Sequence, residues 1–423
     1  MIILLFVALA CLLLIGAPVA VALAGSSLVY LLASGKIPDI ILIQRMVGGV
    51  DSFPLLAVPF FILAGNLMNV CGVTERIFRF ADSMVGWTRG GLGHVNVGAS
   101  VIFAGMSGAA IADAGGLGAV EIKAMRDKGY DVDFAVGITG ASSTVGPIIP
   151  PSLPLVVYGV VASASIGQLF IAGIVPGLLI AAMLMLMVAV ISHRRGYPVG
   201  ERFSVARLLS SFMHAALSLM IPVIIVGGIV LGIFTPTESA IAAVAYVLVL
   251  ATLVYRSAGW RQIITVFRET IEMTSVVLLI VAASSIFAWI LTREGVPAAF
   301  AESVMAVADN PIVILLLINL ILLIVGCFME TVAAITILTP VLLPLAVQAG
   351  VDPVQFGIIM VLNLMIGLLT PPVGLVLFIL ARIADISFPR AVKATLPFIA
   401  ALLVSLLLIT FIPALTLWLP SLI

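Results

Sequence analysis

Gly146-Pro-Ile-Ile-Pro-Pro151 and Gly367-Leu-Leu-Thr-Pro-Pro372 lie 221 residues apart, each inside a long apolar segment. Gly129-Tyr-Asp131 and Gly350-Val-Asp352 repeat at the same offset, as do Pro176 and Pro397. Met106 and Met329 match after a further shift of two residues. Proline removes a backbone donor and clashes with the preceding turn, so each motif breaks a helix. An apolar chain that repeats a broken segment in corresponding positions of two halves reads as a secondary transporter. Its substrate and ion site belongs at those breaks.

Composition bounds the class. Of 423 residues, 63% are hydrophobic and 9% charged, with a mean hydropathy of +1.36. A globule could not cover that much apolar surface, so the chain is an all-α polytopic membrane protein. No stretch is polar and long enough for a separate soluble domain, and there is no Gly-x4-Gly-Lys-Ser/Thr phosphate loop. Any energy must therefore come from an ion gradient or a partner. Cys11, Cys71 and Cys327 are too scattered for a disulfide framework, and His94, His193 and His214 lack metal-ligand spacing. The opening Met1-Ile-Ile-Leu-Leu lacks a basic leader and reads as a retained span.

A span needs about 20 apolar residues. Segments 53–70, 167–192, 215–234, 237–255, 271–292 and 394–419 qualify. The run 2–34 would reach ~50 Å as one helix. Pro18 divides it into two short, tightly joined spans. Segments 133–163 and 355–382 are broken spans. Segments 94–125 and 310–349 read as re-entrant hairpins with tips at Gly105-Met-Ser-Gly108 and Gly326-Cys-Phe-Met-Glu-Thr331. Non-helical backbone at that depth needs protein or a watery cavity around it. Segment 75–91 suits an interfacial helix, with 297–308 as its counterpart on the other face.

The scheme gives two inverted-topology repeats, 1–192 and 215–423, joined by a cytoplasmic linker at 193–214. Each repeat has about five spans plus one hairpin. Putting Arg194, Arg195, Arg202 and Arg207 inside also places Arg76, Arg79, Arg89, Lys123, Arg126, Lys128, Arg256, Arg261, Arg268, Arg382, Arg390 and Lys393 there. Only Lys36, Arg45 and Arg293 fall outside, the asymmetry expected of membrane loops. Both termini are then periplasmic.

Chemistry should concentrate where breaks and tips meet. Ser142, Ser143 and Thr144 add hydroxyl oxygens to the carbonyls freed around Gly146, Pro147, Pro150 and Pro151. Neutral oxygens suit a dehydrated cation, while helix N-termini suit an anion. Asn363, Gly367, Thr370, Pro371 and Pro372 form the second copy. Ser107 and Gly108 at one tip, and Gly326, Glu330 and Thr331 at the other, should lie beside the breaks. An ionisable residue in apolar sequence, such as Glu330, is a functional candidate. Asp113 either caps and pairs within its hairpin or joins the site. Thr235-Pro-Thr-Glu-Ser239 reads as a capped turn.

At these residues the chain resembles the large membrane subunit of tripartite ATP-independent periplasmic (TRAP) transporters. The marks are Gly105-Met-Ser-Gly108, Thr144-Val-Gly-Pro-Ile-Ile-Pro-Pro-Ser152, Thr235-Pro-Thr-Glu-Ser239 and Thr370-Pro-Pro-Val-Gly374. The resemblance covers essentially the whole chain. It implies an elevator-type, Na⁺-driven importer of organic acids in the bacterial inner membrane. The implied partners are a small membrane subunit of about four helices and a periplasmic substrate-binding protein. Fused members carry four extra N-terminal helices that this chain lacks, so a separate small subunit is expected. Ion sites are implied around Ser107, Thr144 and Gly146 in one half, and around Gly326, Glu330, Thr331, Gly367 and Thr370 in the other. Substrate contacts are expected from Ser107, Gly108, Ser142, Ser143, Pro150, Pro151, Asn363, Pro371 and Pro372. Neither enzymatic activity nor a nucleic-acid partner is expected: no His-Glu-x-x-His, Gly-x-Gly-Asp or clustered His/Asp set is present. A stand-alone carboxylate symporter or antiporter is the alternative.

Overall fold

The computed structural model describes residues 1–423 except 36, 39, 109, 307–309 and 423, and all other side chains but those of 105–107 and 112. The described residues are helical apart from turns and one isolated bridge, Arg89 to Val199. Among them, seven helices are long and apolar enough to cross a membrane.

The chain opens with α1 (Ile2–Leu14) and α2 (Val19–Ser34). These two pack on each other across a turn containing Gly16, at φ +81°, and Pro18. The run 2–34 is thus two helices joined at Gly16–Pro18, each shorter than the seven span-length helices. Next come α3 (Ile40–Val50), α4 (Ala57–Val70, preceded by the 3-10 turn Phe53–Leu56) and α5 (Val73–Val85). The sequence analysis assigned nothing to α3, whose eleven residues fall short of a span.

The first hairpin contains α6 (Gly91–Ser107), α7 (Ala110–Gly115) and α8 (Leu117–Asp127). Its second arm is thus itself interrupted at Gly115-Gly116. The first broken span is α9 (Val132–Ser143) and α10 (Leu153–Val161), followed by α11 (Ile166–Arg195).

The second half begins with α12 (Val205–Pro222), a π-turn at Val223–Gly227 and α13 (Gly228–Val230). Then follow α14 (Pro236–Val249), a second π-turn at Leu250–Val254, α15 (Trp260–Arg293) and α16 (Val296–Met305). The second hairpin is α17 (Pro311–Gly326) and α18 (Thr331–Gln348), and the second broken span is α19 (Pro353–Gly367) and α20 (Leu375–Ala384). Helices α21 (Phe388–Phe411) and α22 (Ala414–Leu417) close the chain.

Three span boundaries move. The segment at 271–292 is the C-terminal part of α15, whose 34 residues extend ~51 Å. Its first turns, with Arg261, Arg268 and Glu269, are helical but too polar for an apolar window. The segment at 215–234 starts earlier, at Val205, where the Ser204 hydroxyl accepts from the Arg207 N–H. The last long helix stops at Phe411, before Ile412-Pro413. Thr235 and Glu238 form a reciprocal capping box at the start of α14, as their spacing predicts.

The contacts of one half are exchanged for those of the other. Helix α9 packs on α21, and α19 packs on α11. Helix α10 packs on the second hairpin's arm α18, and α20 packs on the first hairpin's α7 and α8. Glycine permits these close approaches, as small residues do in membrane interiors. A Cβ at Gly137 would lie 2.3 Å from the Ala394 carbonyl oxygen, and one at Gly173 2.2 Å from that of Ile148. Helices α2, α3 and α4 instead pack on α15, and α5 packs on α12. The hairpins and broken spans therefore form one cluster, with α2–α4 and α15 beside it; α5 and α15 also pack on its hairpin arms α6 and α18.

The charged ends segregate. Arg195 and the Tyr197 hydroxyl both bond Asp131, at 2.9 and 2.7 Å. Arg390 pairs with Asp133 at 2.6 Å, Arg207 with Asp82 and Glu201, and Arg76 lies 3.5 Å over the Tyr255 ring. At the opposite end, Arg45 and Arg293 stack on Trp289, and Tyr30 donates to Glu294. Lys36 lies outside the described residues. The Tyr197 hydrogen bond and Arg195 hold the Asp131 carboxyl below its usual range, with slight burial opposing them. Burial, with the hydrogen bond to Asp131, pushes the Tyr197 phenol up to about 12.

Candidate functional site

In the first break, the chain turns from 144 to 152 between α9 and α10. The freed hydroxyls fold back onto their own helix: Ser143 donates to Gly140 O at 2.8 Å and Thr144 to Ala141 O at 2.6 Å. Donation fixes each hydroxyl hydrogen and leaves oxygen lone pairs facing away. Ser152 accepts from the Leu155 N–H and starts α10. The second break runs from 368 to 374, with Thr370 donating to Ile366 O at 2.8 Å. The Pro150–Pro151 and Pro371–Pro372 bonds are both cis. The first proline pair is buried and the second is exposed.

Each hairpin tip meets the break of its own half. Gly108, at φ +60°, ends α6 against the first break. A Cβ there would lie 2.7 Å from Pro151 O and 3.1 Å from Leu153 N. Gly326 ends α17 against Gly367, where a Cβ would lie 2.4 Å from the Gly326 carbonyl carbon. The backbones touch in both cases, which is why glycine occupies these positions. The Ser107 side chain lies outside the described residues. Asp113, buried on α7, reaches the first break: its Oδ2 is 2.2 Å from where a Gly146 Cβ would sit.

Glu330 has a definite structural task. It is the N-cap of α18, and its Oε2 accepts from the N–H groups of Val332 and Ala333 at 2.9 and 3.2 Å. An ionised carboxylate at a helix N-terminus satisfies two of the orphan donors and meets the positive end of the helix dipole. Thr331, next to it, is buried.

Ser142 and Asn363 are fully buried between helices. The Ser142 hydroxyl donates to Asn96 Oδ1 at 2.6 Å, and Asn363 Nδ2 donates to Asn319 Oδ1 at 2.8 Å. Each joins a broken span to the first arm of its own hairpin. Their side chains link each broken span to its hairpin arm. Asn96 also donates to Glu121 Oε2 at 2.6 Å and to Thr139 Oγ1 at 2.8 Å, and Asn319 donates to Thr410 at 3.1 Å. The sequence analysis overlooked Asn96, Asn319, Glu121, Thr139 and Thr410. A signal existed for the two asparagines. They stand 223 residues apart, the offset of Met106 and Met329, while Ser142 and Asn363 share the 221-residue offset of the breaks.

The geometry brings together two tip glycines, two breaks and the buried polar links between them. Among the described residues, no group of three or more His, Cys, Asp and Glu could hold a metal ion. The arrangement offers backbone carbonyls, hydroxyls and helix ends, which suit weak, reversible binding of small ions.

The likenesses to known proteins agree. A solved structure of the Alcanivorax borkumensis YdaH transporter shares the fold, with a TM-score of 0.61 and 15% identity over 88% of this chain and 87% of that one. The chain is 48% identical to the sialic acid TRAP transporter large permease protein SiaM of Vibrio cholerae, over 96% of this chain and 95% of the relative. It is 46% identical to the sialic acid TRAP transporter permease protein SiaT of Haemophilus influenzae, over 90% of this chain and 62% of that longer relative. Residues 6–415 match the model of the tripartite ATP-independent periplasmic transporter DctM component. The protein is therefore a transporter permease and not an enzyme, and it belongs to the DctM family of TRAP transporter large permeases.

Proposed function

We propose that the chain imports an organic acid against its gradient by coupling the acid's entry to that of Na⁺. Two inverted repeats, 1–192 and 215–423, flank a cytoplasmic linker at 193–214 and leave both termini in the periplasm. The observation that carries this reading is the paired seating of Gly108 on Pro151 and of Gly326 on Gly367. A tip and a break brought together twice make two equivalent places where freed carbonyls can surround a cation.

In the first place the ligands are drawn from Ser107, Thr144 and Gly146. In the second they are drawn from Gly326, Glu330, Thr331, Gly367 and Thr370, largely as backbone carbonyls. The substrate carboxylate sits between the two, against Gly108, Ser143 and the helix ends at Pro150–Pro151 and Pro371–Pro372. Ser142 and Asn363 act from behind as supports. Bound Na⁺ orders the tips and completes the anion site, so each ligand raises the other's affinity by the same factor. The hairpins and broken spans move as one body along the cluster formed by α2–α4 and α15, the elevator motion. A small four-helix subunit docks on that stationary cluster in the inner membrane, and a periplasmic binding protein delivers the acid. Both reported relatives are named for sialic acid, itself a carboxylate, which makes it the first substrate to try.

The test is uptake of labelled sialic acid into proteoliposomes holding this chain, its small subunit and the cognate binding protein. Uptake should require an inward Na⁺ gradient and the binding protein together. Uptake that proceeds without the binding protein makes the chain a stand-alone symporter, and uptake indifferent to Na⁺ overturns the coupling.

A further inference from the structure

We propose that Glu121 is a proton-binding site, holding its carboxyl as the neutral acid between the first hairpin and the first broken span. Glu121 sits one turn into α8 and is 1% exposed. Its Oε2 accepts one hydrogen bond, from Asn96, and its Oε1 is buried without a partner. Asn96 has nothing further to give: its second N–H goes to Thr139 and its carbonyl accepts from Ser142.

A carboxylate is acceptor-only and calls for several donors once it leaves water. A buried charge without a counter-charge is far costlier than a neutral group short of one hydrogen bond. Glu330 marks the contrast, since it meets two backbone N–H groups at a helix N-terminus.

Nearby charge does not compensate. The elements packed on α8 are α6, α7, α9 and α20. Their titratable groups are His94 at the start of α6, Asp113 on α7, Asp133 at the start of α9 and Arg382 late in α20. Asp133 is paired with Arg390, and Arg382 is exposed. Asp113 lies on α7, which packs on α8, and a second carboxylate nearby disfavours charge on Glu121. Lys123, Arg126 and Asp127 share α8 with Glu121; Arg126 turns to the Ala384 carbonyl.

The proton therefore acts as a ligand of the hairpin. With it bound, Asn96 keeps the orientation that ties Ser142 to α6. Without it, a bare charge sits behind that tie, at the end of α9 that leads into the first break. The inference stands on the Asn96 cluster and does not depend on Na⁺ coupling.

Infrared spectroscopy of the full chain in an ester-free detergent tests it, through the carbonyl stretch that only protonated carboxyls give. The wild type should show a buried-acid band at neutral pH that persists well into the alkaline range. Glu121→Gln should lose that band, Asp113→Asn should keep it, and Glu121→Asp should shift it. The last two variants and the wild-type titration decide the matter if Glu121→Gln does not fold. Absence of the band from the wild type, or its loss in Asp113→Asn alone, overturns the assignment.

Discussion

The two hairpins occupy matching places and are built differently. The second has one straight return arm, α18, started by the Glu330 carboxylate at its cap. The first has a return arm split into α7 and α8, and it places its acids, Asp113 and Glu121, inside the arm. Both tips nevertheless reach backbone contact with their own break, and both first arms are tied to the broken span by an asparagine. What the halves share is close backbone approach. What they vary is how polar side chains support it, and one break is buried while the other faces outward.

The strongest way to break this comparison is to put a methyl group into a contact that cannot yield. At Gly367 the obstacle is the Gly326 backbone itself. Gly367→Ala should cost ~3 kcal/mol at the tip and reduce uptake more than ~100-fold. At Gly146 the obstacle is the end of the buried Asp113 side chain, a side-chain atom and not backbone. Gly146→Ala should therefore cost only about 1–2 kcal/mol and roughly tenfold in uptake. Equal losses in the two variants, measured on well-folded protein, would remove the distinction between backbone and side-chain seating.

Next are the asparagine ties. Asn363→Ala leaves Asn319 Oδ1 without its donor, and Ser142→Ala does the same to Asn96 Oδ1. Each should lower stability by about 1–3 kcal/mol, the cost of stranding a buried polar atom. Thermal unfolding in detergent reads this directly, and an unchanged melting temperature in both would show that the ties are incidental.

Glu330 separates capping from ion binding. Glu330→Gln keeps an acceptor at the cap, whereas Glu330→Ala removes it, at about 0.5–2 kcal/mol. If the residue also serves Na⁺, both variants should weaken apparent Na⁺ affinity, by about tenfold, and only the alanine variant should melt earlier. Unaltered Na⁺ dependence in both would confine Glu330 to its cap.

The smallest effect lies at the charged end. Tyr197 and Arg195 hold the Asp131 carboxyl below its usual range, so the folded state binds its proton less readily than the unfolded state. That stability is fully present above the unfolded aspartate value of about 4 and is lost as pH falls through the lower folded value. The pair is largely exposed, so Asp131→Asn should cost less than ~1 kcal/mol at neutral pH. The difference should vanish in acid; a constant difference across pH would point to a cause other than charge.

The breaks and tips were legible because proline and glycine announce backbone geometry wherever they occur. Gly108, Gly326 and Gly367 could be placed from the chain alone. The asparagine ties were harder, because a polar residue in an apolar helix does not name its partner; Asn96 meets Ser142 46 residues on. Glu121 was hidden by its neighbours, since Lys123, Arg126 and Asp127 make α8 look like a solvated helix. Helix α3 was too short for any span rule, and the charged start of α15 lay outside the apolar window that defines one.

The central claim is that hairpins and broken spans travel together past the neighbouring helices. Thr336 on α18 donates to Ser284 on α15 at 2.7 Å, directly across that boundary. In a background with Cys11, Cys71 and Cys327 replaced, the pair Ser284→Cys and Thr336→Cys can be oxidised to a disulfide. The account predicts that Na⁺-driven uptake stops on oxidation and returns on reduction. Full uptake with the disulfide formed would contradict it.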